Sequence, residues 1–416
     1  MDSSFKQLLE DSLKPSFGCT DPTAISYAAA RAKSEIPGQI KRIELRLDPG
    51  TYKNSSSVII PGTGKSGPKL AACLGGLLEA PELGLEIYSR LDQEQVKKGT
   101  EMCQNGKVNL EVDGTKDDIF ISTTVFTDDH KASASVENSH TNLVKVSVDG
   151  EVQSLRHKNN NGQSDPWNEL ELMDLVDYTD KLNPTQFEFL LDAVAMNKNL
   201  AEEKIDSCHG AVLGPEDFPE ESISGALLSE SAVSARLTGA SKPAMSIAGS
   251  GSHGIAASLP VAAAANASGV DKEQLIRSLA LSFLTTLYIK SHTGTLSPLC
   301  GAVVAASSGA SAGITYMQNG ERSAILGSLI NMAGNVPGII CDGASLSCSR
   351  KVYTGTVAAL HSSKRSLTGN VLPPDTGIVA ETPEKTIENL GLLSKEGMSE
   401  VNPVIVKMIQ SRKTSG

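Results

Sequence analysis

The chain has 416 residues, of which 39% are hydrophobic and 4% aromatic, and its formal net charge at pH 7 is −11. This length favours two domains, and the acidic balance argues against a nucleic-acid partner, which would need a basic surface. The acidic, amphipathic N-terminus is unlike a secretion signal, and no stretch combines the length and apolarity of a membrane span. With seven cysteines, an odd number, these features predict a protein of the reducing cytoplasm without a membrane partner.

The first 155 residues predict two units. Residues 1–35 are interpreted as an N-terminal helical segment, in which Asp21 can cap the second helix and Pro22 takes its first position. Residues 36–155 are interpreted as a small α/β domain, because strand-like alternation, as in "IKRIELRLD", is interspersed with helical stretches and ends in a run of strands. A further short strand is expected at "LGLEIYS".

A polar stretch at residues 157–169 predicts a linker. Beyond it helical spacing continues through the remaining sequence, so residues 165–416 are expected to form an all-helical domain. The predicted fold class is therefore α+β, a small α/β domain followed by an all-α domain. We expect the N-terminal helices to pack on the all-α domain.

Two glycine-rich stretches resemble nucleotide-binding loops in part. In "IIPGTGKSG" (59–67) the glycine-lysine-serine order fits a phosphate-binding loop, but Ile59 stands where the first glycine belongs. Gly249, Gly251 and Gly254 fit the dinucleotide-binding spacing, but a helical run follows and the expected strand and acidic residue are missing. Nucleotide binding is disfavoured at both. The second loop can still bind a carboxylate through backbone N–H groups at a helix start.

Three cysteines suggest a metal centre. Cys300, Cys341 and Cys348 each lie at a turn flanked by glycine or small polar residues, in "SPLCGA" and "IICDGASLSCSR". Three thiolates leave a metal or cluster one ligand short of the usual four, and an open position suits a Lewis-acid catalyst. Three ordinary core cysteines fit the spacing equally well. Zinc is a competitor, although its usual C-x-x-C pairs are absent.

The other thiols differ in their surroundings. Cys19 directly precedes the helix that Asp21 can cap, where the partial positive charge of a helix start stabilises a thiolate. Such a thiolate can act as a base or nucleophile, while the alternative is a half-buried loop cysteine. Cys73 and Cys103 are expected to be structural thiols, and Cys208 is ambiguous.

Taken in order, the motifs "GCTDP", "GTYKN", "IPGTGKSG", "NSHTN", "SGSHG", "SPLCG" and "CDGASLSC" are specific. Over essentially its whole length the chain resembles the cysteine desulfidases related to the α-chain of iron–sulfur L-serine dehydratases. It departs from that pattern at Asp21, where glutamate is usual.

The resemblance implies that residues 165–416 are the catalytic domain, with a [4Fe–4S] cluster held by Cys300, Cys341 and Cys348 and one iron open to substrate. It also implies that Cys19 accepts a proton during β-elimination of L-cysteine. The products would be sulfide and aminoacrylate, which hydrolyses to pyruvate and ammonia.

An amino-acid substrate also needs partners for its carboxylate and ammonium groups. The candidates, each equally compatible with a solvated loop position, are Lys53, Asn54, Asn138, His140, Ser252 and His253. His140 is favoured, because a similar Ser-His-Thr run occurs in the serine dehydratases.

Two rival functions stay open. One is the same elimination from L-serine or another β-substituted amino acid. The other is a non-catalytic iron–sulfur redox sensor, which would have no need of a thiolate at Cys19. A homodimer is a reasonable expectation for a cytoplasmic enzyme.

Overall fold

The computed structural model describes residues 2–155, 167, 170–206 and 220–413. These residues form a small sheet covered by helices and a larger, mainly helical part, so the predicted α+β class is confirmed. Throughout these ranges, no helix is long and apolar enough to cross a membrane. Cys208 and most of the predicted linker lie outside the described residues.

The sheet is mixed and largely antiparallel. Its strand order is β3-β2-β4-β5-β6-β7, in which β2 and β3 run parallel and the other neighbours run antiparallel. Along β2, buried and exposed residues alternate, as expected for a strand with one face on a core. The first part of the chain comprises α1 (Asp2–Ser12), β1 (Lys14–Ser16), α2 (Thr20–Lys33), β2 (Arg42–Leu47), α3 (Pro49–Ser55), α4 (Pro68–Leu78), α5 (Gln93–Gln104), β3 (Val108–Val112), β4 (Phe120–Phe126), β5 (Lys131–Glu137), β6 (Leu143–Val148) and β7 (Glu151–Leu155).

The strand expected at "LGLEIYS" is wrong. These residues lie in a segment of 3₁₀ turns, Pro81–Arg90, interrupted at Gly84, where φ is +51°. A proline at the first position and a glycine at positive φ favour turns over an extended strand.

The N-terminal helices divide between two cores. Phe5 and Leu9 of α1 are buried in the helical core, as expected. The expectation is wrong for α2, whose Ala24 and Ala28 are buried in the sheet core. Its small residues allow close packing, since a Cβ on Gly75 of α4 would lie 2.1 Å from the Ser26 carbonyl oxygen. The Cys19 end of α2 is thereby anchored on the sheet.

The predicted helical character of the second part is confirmed. Small residues line many helix contacts, in keeping with the low aromatic content; a Cβ on Gly309 would lie 2.2 Å from the Ser282 carbonyl oxygen. Its elements are α6 (Leu172–Lys181), α7 (Leu190–Ala201), α8 (Glu220–Leu237), β8 (Ala244–Ser246), α9 (Gly251–Ser268), α10 (Lys272–Thr293), α11 (Ser308–Met317), α12 (Arg322–Asn335), α13 (Ser347–Leu367), α14 (Pro383–Leu392) and α15 (Val401–Lys413), with a π-helical turn at Ala302–Ser307.

Two elements tie the parts together. β8 pairs antiparallel with β1, far away in sequence. Helix α15 packs beside α3, and its Ile405, Val406 and Ile409 are buried in the sheet core. Residues from both parts can therefore meet in one cavity.

Candidate active site

A cavity of about 100 Å³ lies where the start of α2, helix α3, the start of α9 and the loops before α13 meet. It brings together most of the residues predicted from the sequence: Cys19, Lys53, Asn54, His140, Ser252, His253, Cys300, Cys341 and Cys348. Asn138 lies outside it. Its exposed side chain lines an adjoining cavity of about 420 Å³ that shares His140 with the first.

The three predicted metal ligands line this cavity together, and we term them, with the loops that carry them, the thiol wall. Backbone pairing joins two of its loops: the Cys300 N–H donates to the Ile339 carbonyl and the Cys341 N–H to the Pro298 carbonyl, both at 2.7 Å. Cys348 lies in the first turn of α13. Backbone hydrogen bonds thus fix where Cys300 and Cys341 enter the cavity.

Lys53 braces the thiol wall. Its Nζ donates to the Cys341 carbonyl and to Asn402 Oδ1 of α15, both at 2.7 Å, and the residue is 2% exposed. Gly343 permits this approach, since its φ is +103° and a Cβ there would lie 2.8 Å from the Lys53 carbonyl oxygen. The Lys53 ammonium therefore has protein partners already. Asn54 Oδ1 lies 3.9 Å from Cys341 Sγ.

The donor set fits an iron–sulfur cluster. Burial raises the pKa of Cys300 to about 11 and that of Cys348 to about 12, so metal binding would release their protons. Within the described ranges, no three His, Cys, Asp or Glu side chains are placed to hold one metal ion. A multi-iron cluster takes each thiolate at a different iron, whereas a zinc ion needs its ligands gathered around one centre, so this donor set suits a cluster better than a single zinc ion.

Cys19, Asp21 and His140 form a buried row that also lines the cavity. Cys19 is the N-cap of α2, and its Sγ donates to Asp21 Oδ2 at 3.6 Å. Asp21 Oδ1 lies 3.5 Å from His140 Nε2, and neither of these atoms has a hydrogen-bond partner among the described residues. Gly249 makes room for the imidazole, since a Cβ there would lie 2.9 Å from Nδ1.

The expected thiolate at Cys19 is not what the structure favours. Burial raises the pKa of Cys19 to about 12, and Asp21 adds to the shift, while Arg236 opposes it. Because the helix start is closed to solvent, desolvation outweighs its partial positive charge. Cys19 is therefore a protonated thiol that donates to Asp21.

Sequence reasoning missed two buried cations in this cavity. Arg236 is 3% exposed and Lys290 is 7% exposed. Lys290 donates to the carbonyls of Gly294 and Thr295, and burial lowers its pKa to about 8. Both occur as basic residues within stretches of small and apolar residues. That pattern is a usable signal, because an unpaired charge on a buried helix needs a reason.

His253 is held neutral. Burial, with Lys290 and Arg236 nearby, keeps its pKa well below the ordinary histidine value. A Cβ on Gly301 would lie 2.4 Å from its Nε2, so glycine there leaves room for the ring. A neutral imidazole beside the Cys300 loop can donate or accept a hydrogen bond.

Neither of the two glycine-rich stretches has the geometry of a nucleotide-binding loop. The 59–67 stretch closes on itself through a bridge between Ile59 and Ser66, and Lys65 is exposed. Its Pro61 packs against Gly18, next to Cys19. The loop before α9 follows β8, which lies outside the six-stranded sheet.

Fold and cavity together define a two-part α+β protein with a buried, cysteine-lined site. The family model described as serine dehydratase alpha chain matches residues 82–407. Relatives named UPF0597 protein include those of Clostridium tetani (34% identical over 413 residues), Clostridium botulinum strain Langeland (35% over 421) and Caldanaerobacter subterraneus (34% over 416). Each comparison covers 98% of both chains.

The chain belongs to the serine dehydratase alpha chain family. Membership points to a dehydratase-type lyase and confirms the motif-based resemblance at that level.

Proposed function

We propose that the protein is an iron–sulfur lyase that removes the β-substituent of L-cysteine. The observation that carries the proposal is that Cys300, Cys341 and Cys348 line the same small cavity as Cys19. Family membership supports a dehydratase-type elimination, and the motif resemblance to cysteine desulfidases supports L-cysteine as substrate.

The three thiols would hold a [4Fe–4S] cluster and leave one iron without a protein thiolate. When bound, the cluster supplies a Lewis acid toward the departing group. Lys53 contributes indirectly, because its bond to the Cys341 carbonyl sets the position of that loop. Its role is positioning rather than the substrate contact expected from the sequence.

The buried row of Cys19, Asp21 and His140 would carry out the proton transfer from the substrate Cα. Cys19 takes the Cα proton of the substrate after passing its own proton to Asp21, whose other oxygen lies beside His140. The Cα–H and Cβ–S bonds break, giving sulfide and aminoacrylate. Addition of water then gives pyruvate and ammonia, so one L-cysteine and one water yield one of each product.

The test is product release from L-cysteine by protein reconstituted anaerobically with iron and sulfide, beside unreconstituted protein. We expect sulfide and pyruvate in equal amounts, dependent on reconstitution. No product from L-cysteine or L-serine, despite a loaded cluster, would contradict a lyase of either kind and favour the sensor.

L-serine is the second candidate substrate, favoured by the description of the matching family. Hydroxyl and thiol leaving groups require similar anchoring of the amino acid. Pyruvate from L-serine alone, in the parallel assay, would make the protein a dehydratase with the same site.

A further inference from the structure

Arg236 is a buried cation that has no counter-ion among the residues the structure describes. It lies in the last turn of α8, is 3% exposed and lines the cavity. Its Nη1 donates to Ser252 Oγ at 3.1 Å, but Nε and Nη2 have no hydrogen-bond partner among the described residues. A buried charge left unpaired is strongly unfavourable. The unused edge of this guanidinium is therefore suited to a bound anion.

The start of α9 offers donors at the same place. Its N-cap, Ser250, makes no side-chain cap, and Ser250, Ser252 and His253 line the cavity. The first N–H groups of a helix have no intrahelical partner, and its dipole favours negative charge there. A Cβ on Gly251 would lie 2.4 Å from Arg236 Nε, so glycine allows the guanidinium to lie against this helix start.

The charges around this place leave room for an anion. Lys290 is a second buried cation, and His253 is neutral. Asp21 is the acidic residue that lines the cavity, and its carboxylate contacts Cys19 and His140 rather than Arg236. No acidic side chain of the described residues pairs with the guanidinium.

We propose that Arg236 and the first turn of α9 bind the α-carboxylate of the substrate. The proposal rests on the proposed function in taking an amino acid as the ligand. A planar guanidinium edge matches a carboxylate in two parallel hydrogen bonds. Binding there fixes the Cα end of the amino acid in the cavity that the thiols line.

The test uses two ligands that share a thiol and differ in charge. 3-Mercaptopropionate carries a carboxylate and no amine, whereas cysteamine carries an amine and no carboxylate. Binding of each to the anaerobically reconstituted protein is measured by calorimetry. We expect the wild type to prefer 3-mercaptopropionate about 10- to 100-fold, the range that hydrogen bonds to a charged group provide.

Variants assign that preference to Arg236. R236Q should abolish it while cysteamine affinity stays unchanged, and R236K should retain part of it. R90Q is the charge-matched control, because Arg90 pairs with Glu82 at the surface and should keep the full preference. Gly251→Ala tests the same contact with the arginine retained, because the new Cβ displaces the guanidinium, so it serves if R236Q fails to fold.

Equal binding of the two ligands by the wild type, or a preference that survives in both R236Q and Gly251→Ala, would overturn the proposal. The readout does not depend on turnover. If R236Q loses the carboxylate preference but the wild type catalyses no elimination, the proposed function alone is refuted. Elimination from L-cysteine by the wild type, combined with a carboxylate preference that is unchanged in both R236Q and Gly251→Ala, would refute the carboxylate site alone.

Discussion

Two sides of one cavity differ in how far the protein satisfies its own polar groups. On the thiol wall, the N–H groups of Cys300 and Cys341 are paired with backbone, and the Cys341 carbonyl accepts from Lys53. On the other side, Asp21 and Arg236 are buried with atoms that have no partner among the described residues.

Buried polar atoms are nearly always paired, and unpaired ones call for an explanation. The difference teaches that the thiol wall is held in place before any ligand binds. The polar side is left for a ligand to complete. Substitutions in the thiol wall should therefore release the metal centre. Substitutions on the polar side should impair elimination and substrate binding while the metal centre stays intact.

The largest effect is expected on the thiol wall. Cys341→Ala should reduce bound iron to background and abolish elimination, because two thiolates are too few to hold the cluster. Cys300→Ala and Cys348→Ala should do the same. Iron and sulfide analysis after anaerobic reconstitution is the measurement. Cys103→Ser, a partly buried thiol on α5, should bind iron like the wild type; full iron content in Cys341→Ala would refute the ligand assignment.

The second largest effect is expected on the polar side, at Cys19. Cys19→Ser should lower kcat for elimination by roughly 10²- to 10⁴-fold, the usual contribution of a positioned acid or base. Iron content should not change, because Cys19 is not one of the three ligands. Asp21→Asn should also lower kcat, since it removes the acceptor of the Cys19 proton. Undiminished kcat in Cys19→Ser would remove Cys19 from the mechanism.

A smaller effect is expected at Lys53, which supports the thiol wall. Lys53→Met leaves the Cys341 carbonyl and the Asn402 amide oxygen without their donor, at about 1–3 kcal/mol for each unpaired group. We expect a lower melting temperature and faster release of iron to a chelator. Asn402→Ala should have a milder effect, because Lys53 keeps its bond to Cys341. Identical rates of iron release in Lys53→Met and wild type would show that Lys53 is not needed to support the thiol wall.

The smallest effect concerns pH. Asp48 caps α3, the helix that carries Lys53, and burial raises its pKa from 3.8 to about 6. The folded protein thus binds this proton more tightly than the unfolded chain, so the contribution of Asp48 to stability declines as pH rises from about 4 to 6.

Asp48→Asn removes this titration. The free energy of unfolding of the wild type, measured against that of Asp48→Asn by urea denaturation, should therefore fall by on the order of 2 kcal/mol between pH 4 and pH 6. Above about pH 7 the difference should be constant. Parallel profiles across the whole range would contradict the shifted pKa.

Local signals predicted much of the fold. Alternation located β2, and helical spacing located α9 and α10, because each pattern reports a buried face directly. The β1–β8 pair was missed, since strands of three residues carry no period and their partners lie far apart in sequence. The segment Pro81–Arg90 was misread because its apolar residues outweighed the turn signals of proline and glycine.

The site residues also differ in how far local sequence signals identify them. Cys300, Cys341 and Cys348 could be picked out because their turns carry local glycine and small-residue signals, and their role as ligands stays a prediction. Arg236 carries a weaker signal, a basic residue among small and apolar residues, and its significance depends on a cavity assembled from distant segments. The pKa of Cys19 was misjudged for a related reason. The helix start is visible in the sequence, but the burial that outweighs it is a property of the folded protein.

The contact between Lys53 and Asn402 has a consequence for biosynthesis. A chain still emerging from the ribosome exposes Cys300, Cys341 and Cys348 before α15 exists to supply Asn402. The Cys341 loop gains its complete support when that last described helix docks beside α3. A metal centre assembled on a chain that ends before residue 402 should therefore lose iron faster than one held by the full chain.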